Sequence, residues 1–160
     1  MPTMQLATLC YIFKDDEVLM LHRVKKAEDI HKGKWNGLGG KLEAGETPEQ
    51  CAIREVEEES GLILINPTLR GFLTFPKFAK GVDWYVFLFA ANEFKGEVQV
   101  SAEGNLKWIK RSELLDLELW EGDRIFIPFL FQPGFFTGSF EYVDGKLTKH
   151  EMTVHPQGAF

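Results

Sequence analysis

Residues 40–62, GKLEAGETPEQCAIREVEEESGL, decide how the rest of the chain is read. Local signals make the second half helical. Thr47 suits an N-cap, Pro48 suits the first helical position, and Gln50 completes a Thr-x-x-Gln capping box. These predict a helix from Pro48 to about Ser60, closed by Gly61 in the left-handed conformation. That helix carries Glu55, Glu57, Glu58 and Glu59. At 100° per residue, Glu58 and Glu59 fall about 60° and about 40° to either side of Glu55, while Glu57 points about 160° away, toward solvent. Glu55, Glu58 and Glu59 therefore converge on one patch. Their mutual repulsion costs only a few tenths of a kcal/mol per pair, so a solvated acidic face is one outcome. The other is an oxygen-rich site for a hard cation such as Mg²⁺ or Mn²⁺.

Outward from this helix, "QLATLCYIF" (5–13) and "EVLMLHR" (17–23) predict two strands around a Lys-Asp-Asp turn. Residues 25–46, rich in Gly and Lys, predict a long loop holding a short strand at most, and loops of that length carry function. Past the helix, 69–75, 83–94 and 105–110 read as strands, and Ser112 opens a short helix. The apolar run 122–132, with Pro128 inside it, has no clear period and fits helix or strand. Asp144-Gly145 between "GSFEYV" and "KLTKHEMTV" predicts a type I′ hairpin, and "HPQGAF" (155–160) a frayed end. Strands in runs with one or two helices favour α+β, with residues 1–160 as a single domain.

Composition narrows the partners. A net charge of −6 and a pI near 5.3 speak against coating duplex nucleic acid, yet leave room for a small anionic substrate whose charge a bound cation offsets. Cys10 and Cys51 lack metal-binding spacing and read as buried free thiols of a reducing compartment. The chain starts with no signal-peptide pattern and has no apolar run of membrane-spanning length, which places the expected protein in the cytoplasm, off the membrane. The oligomeric state is left open.

Gly40, Glu46, Arg54-Glu55-Val56, Glu58-Glu59 and Gly61-Leu62 match GX5EX7REUXEEXGU, with U a bulky aliphatic residue, at all nine defined positions. This resembles the box of the Nudix hydrolases. The resemblance implies an α/β/α sandwich around a mixed sheet, with the box as loop–helix–loop. It also implies hydrolysis of nucleoside diphosphates linked to another moiety, using divalent cations. By position, Glu55, Glu58 and Glu59 would ligate the metal, joined by the Gly39 carbonyl, and Arg54 would orient a glutamate of the cluster. Glu46 would brace the loop, and Gly40 and Gly61 would serve its turns. The base that takes the proton of the attacking water would be Glu55 or Glu103, the latter matching a downstream glutamate that some relatives use as ligand or base.

Beyond the box, "GKWNGLGGKLEAGET" and "LWEGDRIFIPFLFQPGFFTGSFEYV" resemble the MutT-type subfamily of oxidised purine nucleoside triphosphatases. That likeness implies a nucleoside triphosphate pyrophosphohydrolase acting on substrates such as 8-oxo-dGTP. Other nucleoside diphosphate derivatives, including ADP-ribose, and a catalytically silent nucleotide-binding regulator are the alternatives. The positions matching Asn36, Trp120 and Asp123 would line the base pocket. An indole face stacks on purines, and an amide offers both donor and acceptor to a base edge. Lys41 is either a phosphate contact or a solvated lysine. Trp84 reads as a core aromatic, Phe72 and Phe75 as core or pocket wall, and the four histidines have no ligand spacing. Two departures stand out: the subfamily has paired acids where this chain has Gly122-Asp123, and an aromatic residue where it has Ile30.

Overall fold

The computed structural model describes residues 3–156. Strands β1 (Met4–Lys14) and β2 (Glu17–His22) form the first hairpin; β3 is the two-residue Trp35–Asn36 inside the long loop. Helix α1 spans Pro48–Ser60. Then come β4 (Ile63–Leu64), β5 (Thr68–Ala79), β6 (Val82–Ala91), β7 (Phe94–Lys95) and β8 (Asn105–Lys110). Helices α2 (Arg111–Leu114) and α3 (Glu121–Phe126) follow, then a 3₁₀ segment (Ile127–Phe131) and the hairpin β9 (Phe135–Val143) and β10 (Lys146–His155).

The main sheet runs β10-β9-β5-β6-β1-β2-β3, with β8 also on β2. β1 with β6 and β5 with β9 are parallel, and the other pairs are antiparallel, so the sheet is mixed. Period-two alternation sorts its side chains between two cores. Cys10, Ile12, Leu19 and Phe89 pack under Ala52 and Val56 of α1. Tyr11, Met20, Val86 and Leu88 face the other way, onto Phe126, Ile127 and Leu130. Helical segments thus cover both faces, as the α/β/α expectation required.

The capping box of α1 is formed: Gln50 N–H donates to Thr47 Oγ1 at 3.1 Å and Thr47 N–H to Gln50 Oε1 at 2.9 Å. Such a cap stabilises a helix by about 1 kcal/mol. Gly61 closes the helix at φ 82°, its N–H on the Glu57 carbonyl at 2.8 Å. Asp144 and Gly145 both have positive φ, as a type I′ turn demands. Both cysteines are buried and free, and burial pushes the Cys10 thiol up to about 12.

Three expectations change and one open reading is settled. The strand expected over 83–94 ends at Ala91, and Phe94 starts a separate short strand. β5 continues past Phe75 through Pro76 to Ala79, which it can do because the register with β6 is broken there. The run 122–132 is a short helix followed by a 3₁₀ turn with Pro128 at its start. His155 ends β10, bonded to Thr137 Oγ1 at 3.1 Å, rather than fraying; residues 157–160 of that expected tail lie outside the described residues. Among the described residues no helix is long and apolar enough to cross a membrane.

Candidate active site

Arg54 is the hub of the loop–helix segment. Its Nε and Nη2 donate to the two oxygens of Glu46 at 2.7 and 2.9 Å, a bidentate pairing across the loop. Nη1 donates to Glu55 Oε1 at 2.8 Å and to Glu58 Oε2 at 3.3 Å, and Nη2 also reaches the Lys41 carbonyl at 3.1 Å. Glu46 further accepts the Glu43 N–H at 3.0 Å, and with Arg54 as chief cause its carboxyl is held down at about 2. One guanidinium thereby sets the loop and the side chains of two helix glutamates.

The three box glutamates have different surroundings. Glu59 is buried and accepts the Gly39 N–H at 3.3 Å. Burial first, then the Glu103 charge, push its carboxyl up to about 9. Glu55 is half-buried; burial raises its pKa, Arg54 opposes this, and Glu58 and Glu103 add to it. Glu58 stands at the rim, its side chain 59% exposed and turned to Arg54. Among the described residues no three acidic, imidazole or thiol groups already meet at one point, so the expected convergence is a shared neighbourhood, not a preformed cage. Glu57 is exposed, as its helical angle predicted.

Backbone geometry brings the loop against α1. Thr8 N–H donates to the Gly40 carbonyl at 2.8 Å and Leu38 N–H to the Cys10 carbonyl at 3.0 Å, which lays residues 38–41 along β1. The Gly39 carbonyl accepts no hydrogen bond among the described residues. A Cβ on Gly40 would lie 2.4 Å from the Glu55 carboxyl carbon, so a side chain there would displace that carboxyl. Glu103 reaches the same region from the β7–β8 loop, paired with Arg23 at 3.3 Å and Lys26 at 3.5 Å. Lys25 Nζ holds that loop by the Ser101 carbonyl at 2.7 Å.

A cavity of about 500 Å³ joins these residues to an aromatic chamber, a volume suited to a small ligand. Gly39, Gly40, Glu55 and Glu103 line it, and so do Asn36, Lys41, Trp120 and Asp123. Trp120 is 7% exposed; its Nε1–H donates to His31 Nδ1 at 2.8 Å, and Lys34 Nζ lies 5.2 Å above its ring. Asp123 is 6% exposed, and burial pushes its carboxyl up to about 7 against the pull of Lys34 and Arg124. The Asn36 Nδ2 is buried with no partner. Lys41 Nζ lies 5.6 Å from the Trp84 ring.

The chamber also contains residues that sequence reasoning passed over. Trp84, expected in the core, lines the cavity instead, with its Nε1 buried and unpartnered. His31, given no role, accepts from Trp120, and burial lowers its pKa to about 4, keeping the ring neutral. Phe78 and Tyr142 stand edge-on to Trp120 at 5.1 and 5.3 Å between centroids. Phe75 lines the cavity, whereas Phe72 packs on Tyr85 and Phe87. Ile30 is at the cavity mouth, 52% exposed.

Comparison with known proteins is consistent with this layout. The NUDIX domain model matches residues 3–130. The chain is 34% identical over 149 residues to the Nudix hydrolase YvcI of Bacillus subtilis, covering 89% of each chain. It is 32% identical over 140 residues to the oxidized purine nucleoside triphosphate hydrolase of Danio rerio, covering 88% of each. The crystal structure of the mutator MutT protein from Bacillus halodurans aligns with a TM-score of 0.83 at 34% identity, over 93% of this chain and 97% of that one.

Proposed function

Because the chain belongs to the Nudix hydrolase family, we propose that it hydrolyses nucleoside triphosphates to the monophosphate and pyrophosphate. Oxidised purine deoxynucleotides such as 8-oxo-dGTP are its substrates in this reading, giving it a role in sanitising the cytoplasmic nucleotide pool. The supporting observation is that one cavity connects Glu55 of the box, with Glu103 beside it, to Asn36, Trp120 and Asp123. In this reading a triphosphate chain and a purine occupy it together.

A divalent cation, Mg²⁺ or Mn²⁺, fits the donor set. Glu55, Glu58 and Glu59 would hold it, with the unpartnered Gly39 carbonyl and Glu103 beside them, and every donor is oxygen. When bound, such an ion offsets phosphate charge and lowers the pKa of a water it holds. Arg54 positions Glu55 through the 2.8 Å bond. Glu55 then accepts the proton of the attacking water, with Glu103 the alternative base. The water oxygen bonds to the β-phosphorus and the bond to the α–β bridging oxygen breaks. The nucleoside monophosphate leaves with that oxygen, and pyrophosphate carries the oxygen of the water.

At the other end, the Trp120 indole offers the purine an aromatic wall, and the bare Asn36 Nδ2 a donor. A carboxyl that titrates at about 7 lets Asp123 either donate or accept at neutral pH. Lys41, also on the cavity wall, contacts the phosphates in this reading. The test is a panel of oxidised and normal nucleoside triphosphates and ADP-ribose, scored for pyrophosphate against phosphate release. Pyrophosphate release, fastest with 8-oxo-dGTP, is expected. Turnover of ADP-ribose alone would assign the chain to the alternative substrate class, and nucleotide binding without turnover in Mg²⁺ would make it a silent regulator.

A further inference from the structure

Gly122, the second residue of α3, has no room for a side chain. A Cβ there would lie 2.7 Å from the Tyr142 hydroxyl oxygen and 2.8 Å from Phe140 Cδ1. The hydroxyl occupies that space and uses it, since Gly122 N–H donates to Tyr142 Oη at 2.7 Å. This leaves the hydroxyl proton for another partner, and no acceptor for it exists among the described residues. The ring is clamped edge-on by Trp120 and Phe78, and Tyr142 lines the cavity beside Asp123. Burial, with Asp123 and Glu121 adding to it, raises the phenol pKa, so the proton stays in place across the neutral range.

We propose that Tyr142 is a specificity-determining residue of the base chamber, whose O–H is a fixed donor that selects a purine presenting a carbonyl oxygen over one presenting an amino group at the same position. The inference rests on the reading that a purine nucleotide fills the cavity. Its chemistry is the asymmetry between the two neighbours. A carboxyl such as Asp123 can donate or accept according to its protonation. A phenol whose oxygen already accepts from Gly122 only donates. A carbonyl at C6 satisfies it, whereas an amino group there sets donor against donor and leaves a buried polar group unpaired.

The test compares 8-oxo-deoxyinosine and 8-oxo-deoxyadenosine monophosphates, which share sugar, phosphate and 8-oxo group and differ on the edge around C6. Calorimetry on the wild-type chain should show tighter binding of the keto member. Tyr142→Phe keeps the ring and removes the hydroxyl. It should weaken the keto nucleotide roughly three- to tenfold and tighten the amino nucleotide, whose unpaired contact it removes. Equal losses on both, or no loss on the keto nucleotide, would overturn the proposal. Should that variant not fold, Gly122→Ala keeps Tyr142 and displaces its hydroxyl, and the same selective loss is required of it. Wild-type protein binding neither nucleotide would refute the base chamber itself; binding both with an unaltered ratio in the variants refutes only the role of Tyr142.

Discussion

Replacing Asp123 with Asn should change how stability depends on pH, and the size of the change follows from where the carboxyl is placed. Asp123 is 6% exposed, and neither nearby cation bonds to it. Lys34 Nζ sits over the Trp120 ring, and the Arg124 guanidinium is taken up by the carbonyls of Leu115, Leu117 and Leu119. Burial therefore dominates and lifts the pKa from 3.8 to about 7. A folded state that holds its proton more tightly is favoured at low pH. The contribution is fully present below about 4, where folded and unfolded chains are both protonated. As pH rises toward 7, the carboxyl ionises freely only in the unfolded chain, and the wild type loses stability. Above about 7 the folded chain ionises too and the loss levels off. A shift of about 3 pH units corresponds to about 4 kcal/mol, with a slope approaching 1.4 kcal/mol per pH unit.

Asn carries no titrating proton, so Asp123→Asn should lack this decline. Urea unfolding of both proteins from pH 4 to pH 8 gives the measurement. The variant's unfolding free energy minus that of the wild type should climb across pH 4–7 by up to about 4 kcal/mol and then flatten. Distant titrating groups, Glu59 included, cancel in the difference. Parallel curves would show that Asp123 ionises in the folded protein as it does in the unfolded chain, and the buried-acid argument would fail.

Three further outcomes are expected. Glu58→Gln should cut turnover by at least about 100-fold, since a cation ligand supplies several kcal/mol to the reaction. Its unfolding free energy should move by less than about 1 kcal/mol, because this rim side chain bonds only Arg54; full turnover in the folded variant would remove Glu58 from the chemistry. Added Mg²⁺ or Mn²⁺ should raise the thermal midpoint, by the equivalent of about 2.7 kcal/mol at a hundred times the dissociation constant, and a chelator should reverse it. An unmoved midpoint and no heat of uptake by calorimetry, with nucleotide present, would contradict the cation site. Gly40→Ala should displace Glu55 at a stability cost under about 1 kcal/mol, since it meets only the movable end of that side chain, with a drop in turnover of roughly 100-fold; wild-type rates would show that Glu55 need not sit against the loop.

What could be read in the sequence is what the chain encodes over short distances. The cap of α1, its Gly61 terminus and the Asp144-Gly145 turn are set by neighbours within a few residues, and all three formed. The Glu46–Arg54 pairing spans eight residues, inside the motif itself. The chamber is different. His31, Phe78, Trp84, Trp120 and Tyr142 come from five separate segments, gathered by parallel pairings of β1 with β6 and β5 with β9 that leave no local mark. Pro76 signalled an end to β5, yet the strand bulges past it and carries Phe78 to the cavity. The run 122–132 lacked a period because it changes from α to 3₁₀ geometry while still packed on the sheet. Gly122 shows the boundary most sharply. The sequence reveals a missing acid, which alone leaves the base preference open. The fold supplies a hydroxyl from 20 residues away in the space a side chain would need, so position 122 is glycine because Tyr142 is there.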